Sequence, residues 1–269
     1  MSFEAAPALD GSIPAVACRG LRKAFGGHRV LEGTTFEVPA GSITALIGPN
    51  GAGKSTAVNL LAGALSLDGG SVHVLGTDVT GRPAHKVAAA GLIRTFQLSR
   101  EFGRLTVTEN LMVTQRPQLG ESLWNVCFKP GAIRRQERQH LEYALSVLDS
   151  YDLYELRDSE ARSLSGGQKR LLELARAVVA EPKVLVLDEP MAGINPVLVD
   201  RIGEHIKEVR QSGVTVLMIE HNLNVVEQIC DRVIVMAEGQ TLAVGSMAEM
   251  RENPEVVRAY LGGALSARA

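Results

Sequence analysis

A short glycine-rich segment of the sequence has the residue types and spacing that bind a nucleoside triphosphate. The residues GPNGAGKST, numbered 48–56, match the pattern G-x-x-x-x-G-K-[ST]. They follow the apolar run SITALIG and open the run KSTAVNLLAGAL, so they join a predicted strand to a predicted helix. Glycines let successive backbone N–H groups converge on one anion, and the helix start adds positive potential. The predicted phosphate-binding residues, for ATP or GTP, are Gly48, Pro49, Asn50, Gly51, Ala52, Gly53, Lys54, Ser55 and Thr56.

Two side chains of this segment have more specific predicted roles. Lys54 would reach the β- and γ-phosphates, and the hydroxyl of Ser55 would ligate Mg²⁺. The alternative is an ordinary glycine turn that caps a helix. The strand before the segment and the helix after it favour the nucleotide site.

Two adjacent carboxylates follow a second apolar run. Asp188 and Glu189 come directly after VLVL, residues 184–187, and Pro190 ends the run. In open α/β sheets, ligands lie at the carboxyl ends of the strands. Asp188 is therefore predicted to hold Mg²⁺, directly or through water, and Glu189 to polarise the attacking water. The alternative is an exposed acid pair that only makes the end of the strand soluble.

The elements that must position these residues alternate between strands and helices. The runs VLVLDE (184–189) and VTVLMIE (214–220) enclose a helical pattern in which Ile202, Ile206 and Val209 share one face. Buried strands between amphipathic helices predict a parallel sheet covered on both faces. Before the phosphate loop, the runs between Ala15 and Glu37 indicate a small antiparallel layer.

The stretch between Gln97 and Ser165 lacks strand patterns. Ile133, Leu141, Ala144, Leu145 and Leu148 indicate helices, with a loop over Trp124–Pro130. We expect a single domain over residues 15–262 with an inserted helical subdomain at about 98–165. Residues 1–14 are predicted to be a disordered tail, and 263–269 a second tail.

Composition excludes several classes of protein. The 269 residues carry a net charge of −2 with a pI near 6.3, so no nucleic-acid partner is expected. Cys18, Cys127 and Cys230 are far apart and form no C-x-x-C pair, which fits a reduced cytoplasmic setting. The opening residues do not resemble a secretory signal. Apolar runs stop short of the roughly 20 residues that cross a bilayer, so any membrane role is expected to be peripheral.

A third motif lies between the phosphate loop and the carboxylates. Leu164, Ser165, Gly166, Gly167 and Gln168 precede the helical run KRLLELARAVV. Alone, this sequence would usually be a helix start with Ser165 as its cap. In this order along the chain it resembles the signature motif of ATP-binding cassette (ABC) proteins, and the resemblance covers about residues 15–262.

The resemblance implies a fold and a mechanism. The fold would be α/β, with a P-loop NTPase (RecA-like) parallel-sheet core, an N-terminal antiparallel β layer and an inserted α-helical subdomain. The signature of one subunit would close over the γ-phosphate of ATP on the phosphate loop of another. A homodimer or heterodimer of ATPase subunits would then bury ATP and Mg²⁺, and hydrolysis would reopen it.

Three further residues match family positions. Phe25, in KAFGG, resembles the aromatic residue that stacks on adenine, although a lone aromatic residue is more often in the core. Gln97, in RTFQ, resembles the glutamine that contacts Mg²⁺ or the lytic water, with an ordinary polar loop residue as the alternative. His221 resembles the switch histidine that contacts the γ-phosphate, whereas most histidines are structural. In the loop after Glu189, many cassettes have Asp where this chain has Asn195, which lacks the charge.

Four less specific stretches resemble the ATP-binding subunits of branched-chain amino-acid importers. They are RTFQLSREFGRLTVTENLMV, FKPGAIRRQER, AGINP and NPEVVRAYLG. This resemblance implies transmembrane permease subunits and a solute-binding protein as partners, and a location in the cytoplasm on the inner face of the cell membrane.

Other readings stay open at this point. ATPases for urea or short amides and for lipopolysaccharide transport have similar termini. Soluble cassette proteins act on ribosomes or DNA, but these join two cassettes or carry long coiled coils, and this sequence has neither. A nucleotide-binding module without turnover is disfavoured by the presence of Glu189 and His221.

Overall fold

The computed structural model describes residues 13–95, 101–115, 118–121 and 123–266, and ten strands lie within them. Every helix in these ranges is too short or too polar to cross a lipid bilayer. The strands are β1 Val16–Phe25, β2 His28–Val38, β3 Ile43–Ile47, β4 Gly69–Val74, β5 Thr77–Asp78, β6 Leu92–Arg94, β7 Val184–Asp188, β8 Thr215–Ile219, β9 Arg232–Ala237 and β10 Gln240–Gly245.

Ten α-helices lie in the same ranges, and short 3₁₀ turns connect some of them. The helices are α1 Lys54–Leu61, α2 Ala84–Ala89, α3 Val107–Met112, α4 Leu123–Phe128, α5 Pro130–Ser150, α6 Gly166–Val179, α7 Pro196–Gln211, α8 Leu223–Ile229, α9 Met247–Glu252 and α10 Pro254–Ser266.

The chain divides into two compact units. The first comprises Met1–Arg94, Lys183–Gly193 and Val199–Ala269, and the second comprises Thr95–Pro182 and Ile194–Leu198. The predicted helical insert, about 98–165, falls inside the second unit, which also includes α6.

Two sheets form the first unit. The larger has the order β10-β9-β3-β8-β7-β6, in which β9, β3, β8, β7 and β6 run parallel and β10 is antiparallel. All residues of β3, β7 and β8 are buried, as their continuous apolar runs predict. The smaller sheet is antiparallel with the order β2-β1-β4-β5, so the predicted N-terminal layer is present and takes in two further strands.

Helices pack on the parallel sheet of this unit by their apolar faces. In α7, Ile202, Ile206 and Val209 are buried, as their spacing predicts. Helix α1 ends at Leu61, earlier than the apolar pattern suggests. Gly63 has φ 68°, and a Cβ atom there would lie 2.5 Å from the Arg82 carbonyl oxygen, so the backbone turns away at this glycine.

The second unit is helical, and the sequence prediction is wrong for one of its segments. The predicted loop over Trp124–Pro130 is wrong, because Leu123–Phe128 form α4 and Pro130 begins α5. Trp124 and Phe128 are four residues apart, so they stack on one helix face with ring centroids 4.2 Å apart. Proline is favoured in the first turn of a helix, which is where Pro130 lies.

A buried amide fixes the start of α3 in this second unit. The Asn110 side chain accepts a hydrogen bond from the Phe102 N–H at 2.9 Å and donates to the carbonyl oxygens of Phe102 and Thr106. Asn110 is fully buried, so these backbone groups have little access to water.

We predict that Asn110→Ala lowers the free energy of unfolding by about 2 kcal/mol, because it removes these side-chain hydrogen bonds and leaves the Phe102 N–H without its acceptor. Chemical denaturation measures the change. Gln139→Ala is the matched control, since it removes an exposed amide from α5 of the same unit. An equal effect of the two substitutions would contradict the structural role of Asn110.

Candidate functional site

The phosphate loop leaves β3 and enters α1 through glycines in unusual conformations. Gly48 has φ 149°, and a Cβ atom there would lie 2.1 Å from the Met236 carbonyl oxygen of β9. Gly53, with φ 93°, directly precedes α1 and has no side chain to cap it. The first N–H groups of a helix have no intrahelical acceptor, so these groups are available to an anion in the loop.

Lys54 holds its ammonium group within this loop. The side chain is almost entirely buried, and Nζ donates to the carbonyl oxygens of Gly48 at 2.8 Å and Pro49 at 2.9 Å. Burial lowers the pKa of Lys54, and the negative charge of Glu189 acts in the opposite direction. A phosphate is a stronger acceptor for this ammonium than a carbonyl oxygen, so the loop is suited to a negatively charged ligand.

The loop also contacts the C-terminal helix α10. The Tyr260 hydroxyl forms a hydrogen bond with the Gly48 backbone, while burial raises the pKa of Tyr260 to about 12. The phenol therefore stays neutral at physiological pH.

Asp188 ends β7 and is buried, with 3% exposure. Its Oδ2 accepts a hydrogen bond from Arg94 Nη2 at 2.7 Å. Within the described residues, its Oδ1 is buried without a hydrogen-bond partner. A carboxylate oxygen with unused lone pairs fits a hard cation such as Mg²⁺, which prefers oxygen ligands.

Glu189 follows in a strained conformation. It is a non-glycine residue with φ 50°, a left-handed conformation that few non-glycine residues adopt. Its N–H donates to the Ile219 carbonyl oxygen at 3.0 Å, which extends the pairing of β7 with β8. Its Oε1 lies 2.9 Å from His221 Nε2, and the Glu189 and His221 side chains are 21% and 46% exposed. This pair is therefore open to water at the end of the sheet.

Glu220 connects the two loops that bear this pair. Its Oε1 accepts from the Met191 N–H at 3.0 Å, and its Oε2 accepts from the N–H groups of His221 and Asn222 at 3.1 and 3.4 Å. The residue is 4% exposed. Burial raises the pKa of Glu220, although the three N–H donors favour its charged form. One buried carboxylate thus fixes the backbone on both sides of the Glu189–His221 contact.

The signature residues belong to the second unit. Ser165 caps α6, and its hydroxyl oxygen accepts from the Gln168 N–H while Gln168 Oε1 accepts from the Ser165 N–H. A Cβ atom on Gly167 would lie 2.4 Å from Leu198 Cδ2, so a larger residue there would require the Leu198 side chain to move. The Gly166 and Gly167 N–H groups belong to the first helical turn, which is an anion-binding arrangement.

The remaining predicted residues have separate outcomes. Phe25 ends β1 with its ring 47% exposed, and Lys23 Nζ lies 5.5 Å from the ring centroid. Asn195 Oδ1 accepts from the Leu198 N–H and caps α7. Gln97 lies outside the described residues, so its predicted role stays a prediction.

Sequence reasoning missed Arg94 and Glu220. Arg94 precedes Gln97 in the stretch RTFQ, and nothing in that stretch reveals the partner of its side chain. Glu220 follows the run VTVLMI in the same way that Asp188 follows VLVL. A carboxylate at the end of a buried strand was therefore the available signal for Glu220.

Comparisons with known proteins identify the family of the chain. A family model described as ABC transporter matches residues 31–192, and one described as Branched-chain amino acid ATP-binding cassette transporter matches residues 240–265. The high-affinity branched-chain amino acid transport ATP-binding protein BraF of Pseudomonas aeruginosa is 40% identical over 254 residues, covering 94% of this chain and 100% of BraF. The probable branched-chain amino acid transport ATP-binding protein LivG of Archaeoglobus fulgidus is 39% identical, covering 91% of this chain and 94% of LivG.

Solved structures give the same result. The crystal structure of a nucleotide-free ATP-binding cassette from an ABC transporter has a TM-score of 0.79 and 36% identity, over 92% of this chain and 99% of that one. An ATP-binding cassette of an ABC transporter in its ADP conformation has a TM-score of 0.78 and 34% identity, over 93% and 100% of the two chains. The similarity thus covers nearly the whole chain and is not confined to the phosphate loop.

The burial of Glu220 generates a prediction about pH. Because its pKa in the folded protein is raised above the ordinary value of 4.5, the folded protein holds this proton more tightly than the unfolded chain does. The stability that it contributes is full below that ordinary value and is lost as the pH rises through the folded pKa. Glutamine does not titrate, so the stability of the wild type relative to Glu220→Gln should fall as the pH rises above about 4.5.

Thermal unfolding across this pH range measures the difference. Glu252→Gln, at an exposed position on α9, is the matched control and should show no such fall. A difference for Glu220→Gln that stays flat or increases with pH would contradict the buried, proton-retaining carboxylate.

Proposed function

The chain belongs to the ABC transporter family, as an ATPase subunit of the branched-chain amino-acid group, and from this premise we propose that it hydrolyses Mg-ATP at the site above to drive uptake of branched-chain amino acids. The matching family model, relatives and solved structures confirm the family, the fold class and the ATPase activity that the sequence predicted. We further propose that residues 15–262 form one ATP-binding domain.

The contact between Glu189 Oε1 and His221 Nε2, at 2.9 Å, is the observation that best supports turnover at this site. A carboxylate accepts hydrogen bonds, so the imidazole N–H donates and fixes the direction of Glu189. In this mechanism the carboxylate of Glu189 would polarise the attacking water. The water oxygen bonds to the γ-phosphorus as the bond to the leaving ADP oxygen breaks, and the water proton passes to the released phosphate or to solvent.

Other residues bind and orient the nucleotide in this proposal. Residues 48–56 enclose the phosphates, with Lys54 on the β- and γ-phosphates, and the Phe25 ring stacks on adenine. Ser55, Asp188 and Gln97 would hold Mg²⁺, and the ion would supply positive charge to neutralise the charge that develops on the phosphate oxygens. The buried Asp188 Oδ1 supports this assignment most directly.

We propose that the catalytic site is completed by a second ATPase subunit, identical or related. In this arrangement residues 164–168 of one subunit contact the γ-phosphate held by the other. The exposed Ser165 cap and the first-turn amides that follow it support this role. The further partners are transmembrane permease subunits and a solute-binding protein, with the ATPase at the cytoplasmic face of the membrane.

We predict that Glu189→Gln binds Mg-ATP and accumulates as a dimer, while hydrolysis falls by about 100-fold or more. The amide keeps the size of the side chain but cannot polarise water as a carboxylate does. Phosphate release and size-exclusion chromatography with ATP measure the two effects. Glu252→Gln is the matched control and should hydrolyse ATP at the wild-type rate. A Glu189→Gln variant that stays monomeric in ATP or keeps wild-type turnover would contradict the mechanism.

The partner assignment needs a separate experiment. Affinity purification of the chain from membranes of its native host should recover permease subunits and a second ATPase. Recovery of ribosomes without membrane proteins would contradict the transport function.

A further inference from the structure

A buried arginine connects the metal-binding carboxylate to the helix of the phosphate loop. Arg94 ends β6, and its side chain is 10% exposed. Its Nη2 donates to Asp188 Oδ2 at 2.7 Å, and its Nη1 donates to Asn59 Oδ1 at 2.6 Å. Asn59 lies on α1, so one guanidinium bridges α1 and the end of β7.

We propose that Arg94 is a positioning residue and internal counter-ion of Asp188 that sets the affinity of the site for Mg²⁺. The inference rests on the proposed role of Asp188 as a metal ligand. The guanidinium occupies Oδ2, so Oδ1, the oxygen without a partner among the described residues, is the one left for the cation. At the same time its positive charge opposes a second cation on the same carboxylate.

These two effects have opposite signs, and the geometry decides between them. Asp188 is 3% exposed at the end of a fully buried strand, so packing already restricts its side chain. Orientation by Arg94 therefore adds little. Repulsion between the guanidinium and a divalent cation acts across one carboxylate, where solvent screens charges poorly. The net effect of Arg94 is to weaken Mg²⁺ binding.

The same ion pair protects the site without a bound cation. A buried carboxylate whose partner is removed becomes an uncompensated charge, which destabilises the folded protein. Arg94 thus compensates the buried Asp188 carboxylate before Mg²⁺ arrives and keeps the ion from binding too tightly after the reaction.

Three variants separate charge from shape. Arg94→Gln removes the charge and keeps a polar amide. Arg94→Lys keeps the charge but cannot bridge Asp188 and Asn59 as a planar fork does. Arg82→Gln is the control at an exposed position. Mg²⁺ is titrated into each protein at saturating ADP, and the melting temperature is measured with and without Mg²⁺.

We expect Arg94→Gln to lower the half-saturating Mg²⁺ concentration about three- to tenfold, because the opposing charge is gone. Without Mg²⁺ it should melt at a lower temperature than the wild type. Adding Mg²⁺ should raise its melting temperature by more than that of the wild type. Arg94→Lys and Arg82→Gln should keep the wild-type half-saturation. ADP affinity in the presence of a chelator should be the same in all four proteins.

Two results would overturn the proposal. One is an unchanged or higher half-saturating Mg²⁺ concentration for folded Arg94→Gln, and the other is a melting deficit that Mg²⁺ does not reduce. If Arg94→Gln does not fold, a shift of half-saturation in Arg94→Lys equally contradicts the charge argument. Asp188→Asn distinguishes the underlying assumption, because unchanged Mg²⁺ binding in that variant would show that Asp188 is not a metal ligand.

Discussion

The shared carboxyl edge of four parallel strands determines where every charged group of the site lies. Strands β6, β3, β8 and β7 run in the same direction, so all of them end at one edge of the sheet. Arg94, Gly48, Glu220 and Asp188 stand at those four ends or directly after them. Residues that are distant in the chain therefore meet without any long loop having to bring them together.

Balance among buried charges is the second constraint at this edge. The Lys54 ammonium donates to carbonyl oxygens and is favoured by the nearby charge of Glu189. The Asp188 carboxylate pairs with Arg94. The Glu220 carboxylate accepts from three backbone N–H groups. These partners offset part of the free-energy cost of removing each group from water. The charged groups of the site are thus compensated by other groups of the protein itself.

The sequence predicted the parts of this site that depend on local pattern. The phosphate loop, the two carboxylates and the buried strands each have a motif or a periodicity, and the structure contains them at the expected positions. The missed contacts depend on sheet order instead. Arg94 and Asp188 are paired only because β6 and β7 are neighbours, and no pattern in either segment shows this. The error at Trp124–Pro130 has another cause, since a short helix of mixed residues has too few turns to reveal its period. Gln97, the adenine contact of Phe25 and the action of the signature on a second subunit stay predictions.

The backbone conformation of Glu189 limits which residues can replace it during evolution. Its φ of 50° suits asparagine, aspartate and glycine better than a longer side chain. Aspartate would relieve the backbone but end about 1.5 Å short of the position from which Glu189 reaches His221. Glycine and asparagine would relieve it and remove the carboxylate. If Glu189 has the proposed role, natural selection for turnover is expected to keep glutamate at a position where its backbone conformation is unfavourable. In a lineage that lost the activity, residues that tolerate a positive φ are expected to replace it.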